Sequence, residues 1–254
     1  MIDFNGLSKQ YGGFHAVDRL NLRVAPGELF GFLGPNGAGK TTTIRMMMGL
    51  LVPTHGSVRI DGYDCHADGV EVKRRIGYLP DNPIFYDYLR GHEILQFVAQ
   101  MHGFSRSQAR TRSERLLAEF GLDEAGDEFA VNYSMGMKKK LALACALIHQ
   151  PRVLILDEPI NGLDPRAARE VNERLLQCVA QGVTVFVSTH LLDMAERLCS
   201  RVGIIHHGKL VATGTPDEIR ASTATNGSLE DVFLSLTNDA SAADTTDSTL
   251  ANAS

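Results

Sequence analysis

Four cysteines in 254 residues, with no C-x-x-C pair among them, are too few and too scattered for a disulfide framework or a zinc site. Cys65, Cys145, Cys178 and Cys199 stand far apart, two of them (Cys145 and Cys178) inside apolar helical patterns, so they read as inert thiols of a reducing compartment. Basic residues are in deficit as well. Lys and Arg number 25 against 30 Asp and Glu, a formal charge of −5, which gives no sign of a broad cationic face for nucleic acid and leaves only a local basic patch open. The longest apolar runs, such as MMMGLLV, fall far short of the ~20 residues that cross a bilayer, and MIDFNGLSKQ has no basic stretch leading into an apolar core. The expectation is a cytoplasmic protein that meets a membrane only through a partner. None of the nine histidines repeats at metal-ligand spacing, and there are no internal repeats.

The 44% hydrophobic content suits one large α/β domain. ELFGFLG (Glu28–Gly34) reads as a buried strand feeding a loop, and TTTIRMMMGLL as the next helix, with Ile44, Met47, Met48 and Leu51 on its core face. RVLIL (Arg152–Leu156), VTVFVS (Val183–Ser188) and RVGIIH (Arg201–His206) are further buried strands. Between the first two runs a helix that opens at Asp164-Pro165, carries Val171, Leu175 and Val179 on one face and stops at Gly182. Strands alternating with helices predict a mostly parallel sheet covered on both faces. MIDFNGLS, NLRV and SVRIDG, the last with an Asp61-Gly62 turn, predict a small antiparallel layer beside it.

From Phe85 to Ile148 the patterns are helical, which predicts an inserted lobe. Thr215 and Ser228 open two short helices, the second with an apolar stripe of Leu229, Val232, Phe233 and Leu236. The expected organisation is a domain over 1–237: core at 1–81 and 149–215, helical subdomain at about 82–148 and C-terminal helices at 216–237. Residues 238–254, small, polar and acidic, are expected to form a disordered tail.

GPNGAGKT (Gly34–Thr41) fits G-x-x-x-x-G-K-[ST] and lies between a buried strand and a helix start, where the chemistry requires it. Backbone N–H groups of Gly34, Asn36, Gly37, Ala38 and Gly39, continuing through Lys40, Thr41 and Thr42, are the expected phosphate cradle, with Pro35 giving shape and no donor. Lys40 supplies a cation for the β- and γ-phosphates and Thr41 a hydroxyl for Mg²⁺. LILDEP sets Asp157 and Glu158 past the end of another buried strand, so both should converge on the same loop. Asp157 is expected to hold Mg²⁺, through water, and Glu158 to act as general base on the attacking water. His190, at the end of VTVFVSTH, is placed to meet the γ-phosphate.

These motifs, in this order, resemble the ATP-binding subunit of an ABC transporter from Met1 to about Thr237. GPNGAGKT is similar to the Walker A motif, LILDEP to Walker B, NGLD (Asn161–Asp164) to the D-loop and STH to the switch histidine. The resemblance implies an α/β fold with a P-loop NTPase (RecA-like), mostly parallel sheet core, an antiparallel β layer and an inserted helical subdomain. It implies that Tyr11 stacks on adenine, and that Asp81 in GYLPD joins core to lobe where relatives carry Gln, a side chain about 1.5 Å longer, while keeping an oxygen for Mg²⁺ or water.

YSMGM (Tyr133–Met137) stands in the signature position. Ser134 and Gly136 match there; Met135, Met137 and Asn161 depart from the usual pattern. Further implications are ATP and Mg²⁺ as cofactors, ATP hydrolysis, a homodimer or heterodimer of ATPase subunits with ATP between Walker A and the partner's signature, and a separate transmembrane permease. The permease would dock near Asp81–Leu89, where Phe85, Tyr86 and Tyr88 are either its contact surface or core of the lobe. YSMGMKKK, NGLDP and LEDVFLSLT are most similar to bacterial exporter-type subunits. Lys138–Lys140, poorly placed for the helix dipole, are expected to screen phosphate charge. The rival readings are a soluble ABC ATPase acting on ribosomes or DNA, and a degenerate ATP-binding partner in a heterodimer.

Overall fold

The computed structural model of the chain describes residues 1–221 and 229–235. At the amino end, β1 (Ile2–Tyr11) and β2 (Phe14–Val24) pair antiparallel through the Gly12-Gly13 turn. Then come β3 (Leu29–Leu33), α1 (Lys40–Met47), β4 (His55–Ile60) and β5 (Tyr63–Asp64). The β4–β5 hairpin turns at Asp61-Gly62, both at positive φ (51° and 86°), which matches the two-residue turn expected of an Asp-Gly pair. A short α2 (Gly69–Lys73) leads into β6 (Ile76–Leu79). The inserted lobe holds α3 (Gly91–Met101), α4 (Arg106–Glu119) and α5 (Met135–Leu147). β7 (Val153–Asp157), α6 (Pro165–Ala180), β8 (Thr184–Thr189), α7 (Leu192–Leu198), β9 (Arg201–His206), β10 (Lys209–Gly214) and α8 (Pro216–Ala221) complete the core.

Two sheets result. Strands β2-β1-β4-β5 form the antiparallel layer, and β10-β9-β3-β8-β7-β6 form the main sheet, parallel except for β10. The period-2 alternation of β3 sorts its side chains between two cores. Leu29 and Leu33 join the cluster that runs through α6 and the helical lobe, whereas Phe30 and Phe32 face the antiparallel layer. There Phe186 of β8 gathers Phe4, Phe30 and Phe32 within 5.3–6.1 Å between ring centroids, a geometry that adds to simple burial.

Several expectations need adjustment. The helix after the P-loop stops at Met47, because Gly49 turns left-handed (φ +66°) and the N–H groups of Leu50 and Leu51 fold back onto Arg45 O. Met47 and Met48 are nonetheless buried, Leu51 packs against them, and the stripe is core. β6 and β10 had no counterpart in the sequence pattern. Asp164 caps α6 by accepting from the N–H groups of Arg166 and Ala167, and Thr215 and Glu218 form a reciprocal capping box. Residues 229–235 are helical, with Leu229 and Val232 buried in the lobe-side core; Ser228, Leu236 and 238–254 lie outside the described residues. No helix among the described residues is long and apolar enough to cross a membrane.

His149, just past α5, carries a pH signature. Its Nε2 meets Ile76 O at 2.9 Å, its ring stacks on His102 with centroids 3.8 Å apart, and Nδ1 has no hydrogen-bond partner. Burial, then the neighbouring His102, push its pKa down to about 4. The unfolded chain takes up this proton near ~6.5, the folded one only near 4, so stability is full above that window and falls as pH drops through it. Urea midpoints should decline from pH 6.5 towards 4, and His149→Gln should flatten the decline. Parallel profiles for the two proteins would remove His149 as the cause.

Candidate functional site

In an open α/β sheet, ligands gather outside the carboxyl ends of the parallel strands, and β3, β7 and β8 lie side by side here. The loop after β3 forms a cleft of about 400 Å³ lined by Tyr11, Pro35, Asn36, Gly37, Gly39, Lys40, Thr41, Thr42, Asp81, Asp157 and Glu158, together with Phe14 and Ala16. Gly39, the N-cap of α1, has φ +109°, and a Cβ there would lie 2.4 Å from Ala16 O; only glycine fits. Gly34 and Ala38 are buried beneath the loop and shape it from behind. Ser134 and Gly136 lie on the lobe and are absent from the cleft lining.

Lys40 is buried, with Nζ donating to Gly34 O at 2.6 Å and Pro35 O at 3.2 Å and lying 3.8 Å from Glu158 Oε1. Burial lowers its pKa; Glu158 and then Asp157 oppose that shift. Asp157 is held from both sides: Ser188 Oγ donates to Oδ1 at 2.8 Å and Thr41 Oγ1 to Oδ2 at 3.3 Å. Burial raises its pKa and these two hydrogen bonds pull it back. A hydroxyl and a carboxylate oxygen side by side form a hard-donor pair, the set that Mg²⁺ takes from protein when phosphates and water complete its shell. The described residues hold no cluster of three or more His, Cys, Asp or Glu that would cage a metal without such help.

Glu158 has both carboxylate oxygens engaged. Thr189 Oγ1 donates to Oε2 at 3.0 Å and His190 Nδ1 lies 2.9 Å from Oε1. Its backbone is left-handed (φ +49°), a conformation costing a non-glycine residue on the order of 1–3 kcal/mol and kept only where the surroundings impose it. Three bonds to its main chain hold it here: Glu158 N to Ser188 O at 2.9 Å, Asn161 N to Glu158 O at 3.2 Å, and the side-chain Lys139 Nζ to Glu158 O at 2.5 Å.

Ser188, Thr189 and Lys139 went unnoticed in the sequence. The first two were signalled by polar residues ending an apolar strand; Lys139 was hidden in a run of three lysines. Two of those three lysines do not face outward as a phosphate screen. Lys139 is buried against Asp81, and Lys140 pairs with Glu170 of α6. Asp81 itself accepts from Asn82 Nδ2 at 3.2 Å and from Asn161 Nδ2 at 3.5 Å.

A glycine loop capping α1, a buried lysine beneath it and a hydroxyl–carboxylate pair beside it together define a P-loop nucleotide-binding domain. The profile of the ABC transporter family matches residues 17–161. The chain belongs to that family, a family of ATP-binding cassette ATPases. It is 38% identical over 243 residues to the probable multidrug ABC transporter ATP-binding protein YbhF of Escherichia coli (strain K12), covering 94% of this chain but only 42% of that protein. It is 40% identical over 233 residues to the daunorubicin resistance ATP-binding protein DrrA3 of Streptomyces coeruleorubidus, covering 92% of this chain and 73% of that one. A solved structure described as the ATP-binding subunit of an ABC transporter superposes with a TM-score of 0.86 at 34% identity, covering 93% of this chain and 99% of its own.

Proposed function

We propose that this chain, acting over residues 1–237, binds and hydrolyses Mg-ATP as the dimerising energy-coupling subunit of an ABC exporter, driving a separate membrane permease. The observation that carries hydrolysis is the Glu158 carboxylate, doubly held by Thr189 and His190 at the mouth of the P-loop cleft. The N–H groups at the start of α1 and the Lys40 ammonium bind the phosphates, while Tyr11, half exposed at the cleft edge, offers its ring to adenine. Thr41 and Asp157, with Asp81 lining the same cleft, would hold Mg²⁺, which would supply charge neutralisation at the phosphates. Glu158 accepts the proton of the attacking water. With Nδ1–H donated to Glu158, His190 keeps Nε2 for the γ-phosphate region.

Dimerisation is supported by where the signature falls. Ser134 caps α5 by accepting from Met137 N at 3.2 Å yet remains exposed, and with Gly136 it contributes nothing to the cleft of its own chain. A second copy, or a relative, would bring that helix start to the phosphate. The permease is supported by apolar surface beside Asp81: Ile84 is 91% exposed, Tyr86 72% and Tyr88 82%. Phe85 turns inward to the core instead, so the two readings of these aromatics divide between neighbours. Export is supported by relatives whose names record multidrug transport and daunorubicin resistance.

Purified protein should release phosphate from Mg-ATP, and a membrane permease should co-purify with it from the native host. A protein that stays wholly soluble and comigrates with ribosomes or DNA would sink the transporter reading. Absence of turnover, alone and with its permease, would leave only the degenerate-partner reading standing.

A further inference from the structure

Asp81, Asn161 and the lysine run are three separate features of the sequence, and in the fold they meet. Lys139 lies in the second turn of α5 with its side chain 1% exposed; its Nζ is 3.7 Å from Asp81 Oδ1, the oxygen that also accepts from Asn161 Nδ2. A buried ammonium costs several kcal/mol unless paired and hydrogen-bonded. The plainest account is a staple between lobe and core. A staple, however, would be served as well by an apolar side chain, and the shortest bond of Lys139 goes elsewhere. It goes to the carbonyl oxygen of Glu158, at 2.5 Å, the one non-glycine residue of the site whose backbone is held in a left-handed conformation.

We infer that Lys139 is a positioning residue for hydrolysis: through its bond to Glu158 O it fixes the left-handed backbone that aims the Glu158 carboxylate, while Asp81 balances its charge. This rests on the hydrolytic reading above. The arrangement is asymmetric. Lys139 is enclosed, whereas the Asp81 side chain is 37% exposed, so loss of the carboxylate strands a buried cation and loss of the lysine leaves an acid that water still reaches. Orientation of α5, which carries Ser134 and Gly136 at its start, is thereby tied to the geometry of the same chain's Glu158.

The test compares wild type with Lys139→Met, Lys139→Gln, Asp81→Gln and the Asp81→Gln/Lys139→Gln pair, measuring phosphate release and, on nucleotide-free protein, thermal unfolding. Lys139→Met fills the buried position without a donor; it should keep its melting temperature and its KM for ATP within about twofold while kcat falls about tenfold or more, as for a misaimed base. Asp81→Gln should melt earliest, and the double variant should melt well above it, because two amides leave no unpaired charge. Wild-type kcat in Lys139→Met, or single-variant melting shifts that simply add, would overturn the inference. A wild type that does not turn over ATP overturns the hydrolytic reading instead, and the melting cycle then still decides the Asp81–Lys139 pairing. Lys139→Gln keeps the test open if the methionine variant does not fold.

Discussion

Glu158→Gln should abolish steady-state phosphate release, by about 10²- to 10³-fold, while leaving ATP binding within a few-fold of wild type. The size of the effect follows from what the substitution keeps. Glutamine has the same length, and both partners of Glu158 can exchange roles: the Thr189 hydroxyl rotates to donate or accept, and the His190 ring changes tautomer so that Nδ1 accepts from an amide. The cleft, Lys40 and the Thr41–Asp157 pair therefore stay in place. What is lost is the capacity to take a proton from water at Oε1 or Oε2. Phosphate release by the purified variant, set against its binding of a fluorescent ATP analogue, checks both halves. A variant that keeps more than roughly a tenth of wild-type turnover would move the base to another group.

The second large effect lies away from the chemistry. Gly77 of β6 faces α5 so closely that a Cβ would sit 2.2 Å from Ala146 O and 2.8 Å from Leu154 Cδ2. A helix carbonyl and a buried strand leave nothing flexible to yield. Gly77→Ala should cost about 3 kcal/mol or more, lowering the melting temperature by roughly 6–12 °C in a chain of this size, with much of the protein insoluble on expression. Gly69→Ala is the control, since a Cβ there meets nothing within 4 Å and Gly69 needs no positive φ; it should melt no earlier than wild type. Equal melting of the two variants would show that β6 and α5 separate more readily than their contact suggests.

Long apolar runs and local caps made the central architecture legible. Leu29–Leu33, Val153–Asp157 and Thr184–Thr189 are buried along their whole lengths, so a strand period is unnecessary to find them. Asp164-Pro165 announced α6 by chemistry that acts within four residues of chain. β6 was missed because four residues, one of them glycine, leave no periodic signal; only its pairing with β7 makes it a strand. The site divides in the same way. Phosphate-loop and Walker-type residues are contiguous and could be read directly. Lys139 could not, because burial of a lysine depends on Asp81, 58 positions earlier, and on a carbonyl 19 positions later. Glu158 was found by its side-chain chemistry, but its left-handed backbone is a property of the assembled neighbourhood.

Helix α5 touches each of these matters at a different point along its 13 residues, a rod roughly 20 Å long at 1.5 Å per residue. Near its carboxyl end Ala146 bears on Gly77 without clearance; part-way along, Lys139 grips the backbone of Glu158; at its start Ser134 stands exposed and Gly136 half-buried. Mechanically this is a lever. With the glycine contact as fulcrum, the lysine on the shorter arm and the exposed Ser134 cap on the longer one, a push at the tip would reach the Glu158 backbone as a smaller displacement.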